Sequence, residues 1–158
     1  MSTTKIIELD VQEFTKSLCS ELYLMDFEHF SVPWTKNNWN DLINTYDNNY
    51  KIFLILDYNK IVGFSLFKLS QYEKLAHLLK IILIEKYQGK NLGSFLLSHS
   101  LEMLSVQEYS KIYLEVETTN TPAISLYYKL GFSKSHQINN YYSNGCSAQV
   151  MVNYNCCN

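Results

Sequence analysis

Glu115 and Tyr127 are the residues of this chain best suited to moving protons, and the turn Gln88-Gly89-Lys90-Asn91-Leu92-Gly93-Ser94 is the stretch best suited to holding phosphate. A carboxylate can take a proton from a nucleophile, and a phenol can return one to a leaving group. A helix start offers unpaired backbone N–H groups and the positive end of the helix dipole, which suits a pyrophosphate. Gly89 and Gly93 permit close approach, and Asn91 is one of the few non-glycine residues that tolerate φ > 0. The turn matches neither the Walker loop nor the GxGxxG dinucleotide motif. Taken singly, it also reads as an ordinary strand-to-helix loop, Glu115 as an exposed strand carboxylate and Tyr127 as a half-buried core tyrosine.

The elements that must position these groups are legible in the hydrophobic pattern. Lys5 to Leu9 reads as a first strand, and Phe14, Leu18, Leu22 and Met25 recur at helical spacing within a helix spanning Val11 to Phe30. Pro33-Trp34 breaks it, and Thr35 caps a second helix through Trp39, Leu42 and Ile43. Lys51–Leu56 and Ile61–Leu69 are two strands joined by a turn at Asp57 to Lys60. Ala76 to Glu85 is almost continuously apolar, as expected of a strand buried on both faces. It leads into the Gln88 turn and a helix whose Leu92, Leu96, Leu97, Leu101 and Leu104 face a sheet. Lys111 to Val116 is the next strand, with Glu115 on the face of Tyr113 and opposite Leu114 and Val116. A helix follows from about Pro122 to Leu130, ended by Gly131. Phe132–Tyr142 and Gln149–Tyr154 read as closing strands, so at most one of Tyr141 and Tyr142 faces a given groove. The strand-helix-strand-helix order is a parallel-type unit.

A length of 158 residues suits one domain with a proper core. The net charge of -2 and the absence of a Lys/Arg block favour neither nucleic acid nor an anionic membrane as partner, so any anion site is local. Without an apolar leader or a window near the roughly 20 apolar residues of a span, the expected compartment is the cytoplasm. Cys19, Cys146, Cys156 and Cys157 have no CxxC spacing and are expected to be reduced thiols. His29, His77, His99 and His136 are dispersed, so no metal site or histidine triad is expected.

The order of the pieces sharpens this reading. Gln88-Gly89-Lys90-Asn91-Leu92-Gly93 resembles the Q/R-x-x-G-x-G/A signature of the GNAT N-acetyltransferases. Leu114-Glu115-Val116, Asn120, Ala123, Leu126-Tyr127 and Gly131-Phe132 resemble the L-E-V…N…A…L-Y…G-F run of the RimI-type branch, which acetylates the N-terminal amine of a ribosomal small-subunit protein. Val32-Pro33-Trp34 and Tyr141-Tyr142 extend the likeness.

The resemblance implies a single α/β GNAT domain over residues 1–154, with 155–158 as a frayed tail. Its mixed sheet would have six or seven strands, splayed between the fourth and fifth, with about four helices around it. Acetyl-CoA would be the co-substrate and no metal is implied. Ile81, Ile82 and Leu83 would run beside the pantetheine arm, Gln88, Gly89, Lys90, Asn91, Leu92, Gly93 and Ser94 would cradle the pyrophosphate, and Asn120 would contact the cofactor arm. Glu115 would be the general base, through water, and Tyr127 the acid that protonates the coenzyme A thiolate. Trp34, Tyr141 and Tyr142 are candidates for the acceptor side, with plain packing an equal alternative for Trp34.

The acid-base energetics suit an α-amine. Neutralising an amine of pKa about 7.7–8.0 at pH 7 costs roughly 1–1.4 kcal/mol, against about 4.6 for lysine. Protonating a thiolate of pKa about 8.5 from a tyrosine of pKa about 10 is uphill by roughly 2 kcal/mol. Three positions depart from the family pattern: Asn91 replaces a motif glycine, and Ile138 and Glu117 stand where RimI-type sequences have arginine. The last two touch the acceptor side. The rival readings are a GNAT acting on a lysine side chain or small amine, and a catalytically silent acyl-CoA-binding module.

Overall fold

The computed structural model describes residues 3–44 and 49–154; Cys156 and Cys157 lie outside them. The chain runs β1 (Lys5–Asp10), α1 (Lys16–His29), α2 (Lys36–Asn44), β2 (Tyr50–Asp57), β3 (Lys60–Ser70), β4 (Leu75–Leu83), α3 (Leu92–Val106), β5 (Lys111–Glu117), α4 (Thr121–Lys129), β6 (Ser133–Ile138) and β7 (Ala148–Tyr154). The strands form one sheet in the order β1-β2-β3-β4-β5-β7-β6. Only β4 and β5 pair in parallel; the other neighbours are antiparallel.

The opening in this sheet follows from its register. β4 and β5 pair only over Leu75–Leu78 and Lys111–Leu114, yet β4 stays bonded to β3 up to Leu83, and β5 to β7 up to Glu117. Beyond Leu78 and Leu114 the two strands diverge, and the sheet is splayed there. A register shift marks the point of divergence: Phe67 faces Leu78 while Leu66 faces Lys80, leaving Leu79 as the extra residue. Such a bulge bends its strand and interrupts pairing.

Two apolar layers cover the sheet. α3 and α4 pack Leu96, Leu97, Leu104 and Tyr127 with Phe53, Phe67, Ile112 and Leu114. On the other face α1 and α2 pack Leu22, Met25, Trp39 and Leu42 with Ile52, Leu54, Phe64 and Leu66. β2 and β3 are buried on both faces, as is β7 up to Asn153. The expectation that Ala76 to Glu85 holds that place is corrected: β4 alternates between buried and half-buried residues, and ends at Leu83. Its second apolar set, including Ile81 and Leu83, borders the opening, and a continuous apolar run does not distinguish a cleft wall from a core.

Two further boundaries differ from expectation. Val11–Glu13 form a separate 3-10 turn, and the first helix starts at Lys16, because Thr15 Oγ1 accepts from Leu18 N at 3.0 Å. Tyr141 and Tyr142 lie on the β6–β7 loop rather than on a strand, since β6 stops at Ile138 and Asn140 turns with φ 51°. Thr35 does cap α2, accepting from Asn38 N at 3.2 Å. No helix among the described residues is long and apolar enough to cross a membrane.

Candidate active site

The splay forms a cleft of about 330 Å³. Ile81, Ile82 and Leu83 wall one side, Glu115 and Glu117 the other, and Asn120, Ala123 and Tyr127 of the α4 region line it as well. Glu115 projects from the β5 face opposite the buried Leu114 and Val116, whereas Tyr127 belongs to the layer beneath α3 and α4. The two groups thus come from opposite sides of the sheet and meet at one cleft because the sheet is open between them.

The strand-to-helix turn is built as its sequence suggests. Gly89 has φ 69° and Asn91 φ 59°, so the departure from the glycine motif falls on a left-handed position that asparagine tolerates. α3 then begins at Leu92, and its first-turn N–H groups open on this turn. Gln88 lines the cleft and donates its side-chain amide to the Leu83 carbonyl at 2.8 Å, tying the turn to the end of β4. Lys90 Nζ sits 5.7 Å from the Tyr87 ring and, with Leu92, borders a separate shallow depression beside Asp57. Asn120 caps α4, its Oδ1 accepting from Ala123 N at 3.3 Å.

The three acceptor-side candidates separate. Tyr142 lines the cleft; Tyr141 does not, although the two rings meet edge-on at 4.9 Å. Trp34 is not among the lining residues either. It packs on Trp39 at 5.4 Å and lies 5.0 Å from Lys80 Nζ, which gives it a packing role behind the wall. His29 at the end of α1 and the loop residues Phe30 and Ser31 occupy the lining position instead. Ser31 Oγ donates to Glu117 Oε1 at 2.5 Å, and Asn144 Nδ2 donates to the same oxygen at 3.3 Å. Glu117 therefore joins the α1–α2 and β6–β7 loops at the edge of the cleft.

Burial sets the phenols. It pushes Tyr127 well above the usual tyrosine value, and pushes Tyr142 up as well, with Tyr141, Glu115, Glu117 and Tyr127 adding to the effect. Tyr113 and Tyr141 are raised first by burial and then by the Glu115 charge. All four stay protonated at neutral pH.

The sequence reading passed over His77. It lies directly beside Tyr113 in the β4–β5 register, its ring stacks on that tyrosine at 4.1 Å, and its Nε2 is 2.5 Å from Glu115 Oε2. The available signal was its position: His77 and Lys80 are the two polar residues in an otherwise apolar strand. No group of His, Cys, Asp and Glu among the described residues could hold a metal ion. Cys19 and Cys146 are free thiols.

A profile of the acetyltransferase (GNAT) family matches residues 11–132, most of the chain and all of the cleft walls except Tyr142. The protein belongs to the GNAT family. The crystal structure of the ribosomal-protein-S18-alanine N-acetyltransferase from Escherichia coli has this fold, with a TM-score of 0.82 at 25% identity over 96% of this chain and 93% of that one. A protein of Bacillus subtilis described as a putative [ribosomal protein bS18]-alanine N-acetyltransferase is 27% identical over 148 residues, 87% of this chain and 95% of the relative. An N-alpha-acetyltransferase of Sulfurisphaera tokodaii is 38% identical over 92 residues, which is 57% of this chain. Those residues span 55% of that relative, little more than half its length.

Proposed function

We propose that this protein is an acetyl-CoA-dependent N-alpha-acetyltransferase, acting in the cytoplasm on an alanine-initiated ribosomal small-subunit protein. The observation that carries the reading is the shared cleft of Glu115 and Tyr127, reached from opposite sides of an opened sheet. Its wall supports an acetyl-CoA site. From Lys80 to Leu83 the backbone of β4 is paired with β3 on one side and with no described strand on the other, so an extended pantetheine arm can lie along that edge. The Gly89 to Ser94 turn stands at the end of this edge, where α3 begins, and would receive the pyrophosphate.

The reaction is direct attack of the amine on the thioester. Glu115, on the face away from Tyr127, takes the amine proton, directly or through a water. Tyr127 gives its proton to the departing thiolate. Burial raises the pKa of Tyr127, which widens its gap from a solvated thiol. A thiolate leaving beside the buried Tyr127 would be desolvated in its turn, and its pKa would rise with that of the phenol. Alignment of amine and thioester supplies the larger part of the acceleration. The N-terminal acceptor is favoured by the low cost of deprotonating an α-amine and by the relatives described above.

Mass spectrometry of an alanine-initiated ribosomal peptide carrying an internal lysine, incubated with acetyl-CoA, tests this. Acetylation of the α-amine alone is expected. Modification at Nε would move the acceptor to lysine side chains or small amines, and cofactor binding without transfer to any amine would make the protein a silent acyl-CoA-binding module.

A further inference from the structure

We infer that His77 is a positioning residue that holds the Glu115 carboxylate in its working orientation. This rests on the reading of Glu115 as the base. His77 Nε2 lies 2.5 Å from Glu115 Oε2, and both side chains are largely withdrawn from solvent, at 21% and 16% exposure. To act as a base Glu115 must be a carboxylate, which only accepts hydrogen bonds, and the bond then requires the His77 tautomer that carries its proton on Nε2. A charge-assisted bond between these groups restrains the rotation of the carboxylate. It engages one oxygen and leaves the other for the amine or its bridging water.

The imidazole is itself held. His77 and Tyr113 are register partners in the last stretch where β4 and β5 remain paired, and their rings stack nearly parallel, 13° apart, with centroids at 4.1 Å. Pairing ceases one residue later, at Leu78 and Leu114. Glu115 is thus the first β5 residue past the paired segment, on the side chain row it shares with Tyr113. There a flexible carboxylate would otherwise have open cleft around it. Stacking and hydrogen bond together transmit the rigid, paired part of the sheet to the first group of the opened part.

The two contributions can be separated by substitution. His77→Phe keeps a ring over Tyr113 and removes the donor; His77→Gln loses the stack but places an amide N–H at a reach comparable to Nε2. Steady-state kinetics on an alanine-initiated peptide are compared for the wild type, these variants, Glu115→Gln and the Glu115→Gln/His77→Phe double variant, with acetyl-CoA binding measured for each. His77→Phe is expected to lower kcat by about tenfold or more with the KM for acetyl-CoA within about twofold. His77→Gln should recover kcat to within about threefold of wild type, and the double variant should be no slower than Glu115→Gln alone. His77→Leu carries the same expectation as His77→Phe, should the latter not fold. If Glu115→Gln lowers kcat while His77→Phe or His77→Leu leaves it unchanged, the positioning role is overturned and Glu115 remains the base. If Glu115→Gln itself leaves kcat unchanged, the reading of Glu115 fails, and this inference with it.

Discussion

Lys80 of β4 reaches Asp26 of α1, Nζ to Oδ1 at 2.9 Å, and the two side chains are only 2% and 0% exposed. The other carboxylate oxygen of Asp26 accepts from the Trp39 indole and from the Trp34 backbone N–H, both at 2.9 Å. The Phe30 ring lies 4.1 Å from the ammonium. One buried carboxylate therefore fastens α1, α2 and the loop between them to β4, on the stretch that walls the cleft. Asp26→Asn would leave the Lys80 charge without its partner in a dry site. Urea unfolding should show a loss of about 3–5 kcal/mol, whereas replacing both partners by apolar residues, Asp26→Leu with Lys80→Met, should lose far less. An Asp26→Asn variant as stable as wild type would contradict this.

Gly63 of β3 faces Leu83 at the end of that same wall. A Cβ there would stand 2.5 Å from the Ile82 carbonyl oxygen and 2.5 Å from Leu83 Cδ2. Leu83 Cδ2 can swing away; the backbone carbonyl cannot without moving β4. Gly63→Ala is expected to cost roughly 1–3 kcal/mol of stability and to weaken acetyl-CoA binding through the displaced strand. Calorimetric titration of acetyl-CoA would read the second effect, and unchanged affinity would show that the wall yields elsewhere.

How much of this was legible in the sequence differs by element. The Gln88 to Ser94 turn, α4 between Pro122 and Gly131 and the face of Glu115 follow from local rules: left-handed tolerance, the placement of proline and glycine at helix ends, and strand alternation. The splay was expected only through the family likeness, since the bulge at Leu79 depends on how β3 registers against β4. His77–Glu115, Lys80–Asp26 and Ser31–Glu117 join residues 38, 54 and 86 positions apart, and no local pattern encodes such pairings. The choice between entrance and packing for Trp34 stayed open in the sequence for the same reason: its neighbour Lys80 is brought to it only by the tertiary fold.

The opposite edge of the sheet offers a pH test. Burial alone would raise Glu8, but hydrogen bonds from Lys51 and Gln107 outweigh it and hold the carboxyl below its usual 4.5. Burial alone would lower Lys51, yet Glu8 and Asp10 hold it above 10.5. A depressed carboxylate contributes stability above its unfolded pKa and loses it as pH falls through the folded value. A raised ammonium contributes below its unfolded pKa and loses it as pH rises through the folded value. The pair is thus fully effective between 4.5 and 10.5. The urea midpoint of Lys51→Met should fall furthest below wild type in that window, and the difference should shrink toward about pH 2. A pH-independent difference would mean that packing of the lysine stem, not its charge, is what the variant removes.

The central claim is that Glu115 and Tyr127 act from the two sides of the splay on one amine and one thioester. The most direct measurement is the pH dependence of acetyl transfer to an alanine-initiated peptide by wild type, Glu115→Gln and Tyr127→Phe. Each variant should be slower by about 10²–10⁴-fold near pH 7. The loss in Glu115→Gln should be partly rescued as pH passes about 8, where the amine sheds its own proton, while the loss in Tyr127→Phe should persist with acetyl-CoA binding intact. Rates for both variants within about twofold of wild type across the range would contradict the account, since a loss of less than about 0.4 kcal/mol leaves neither group a part in the transition state.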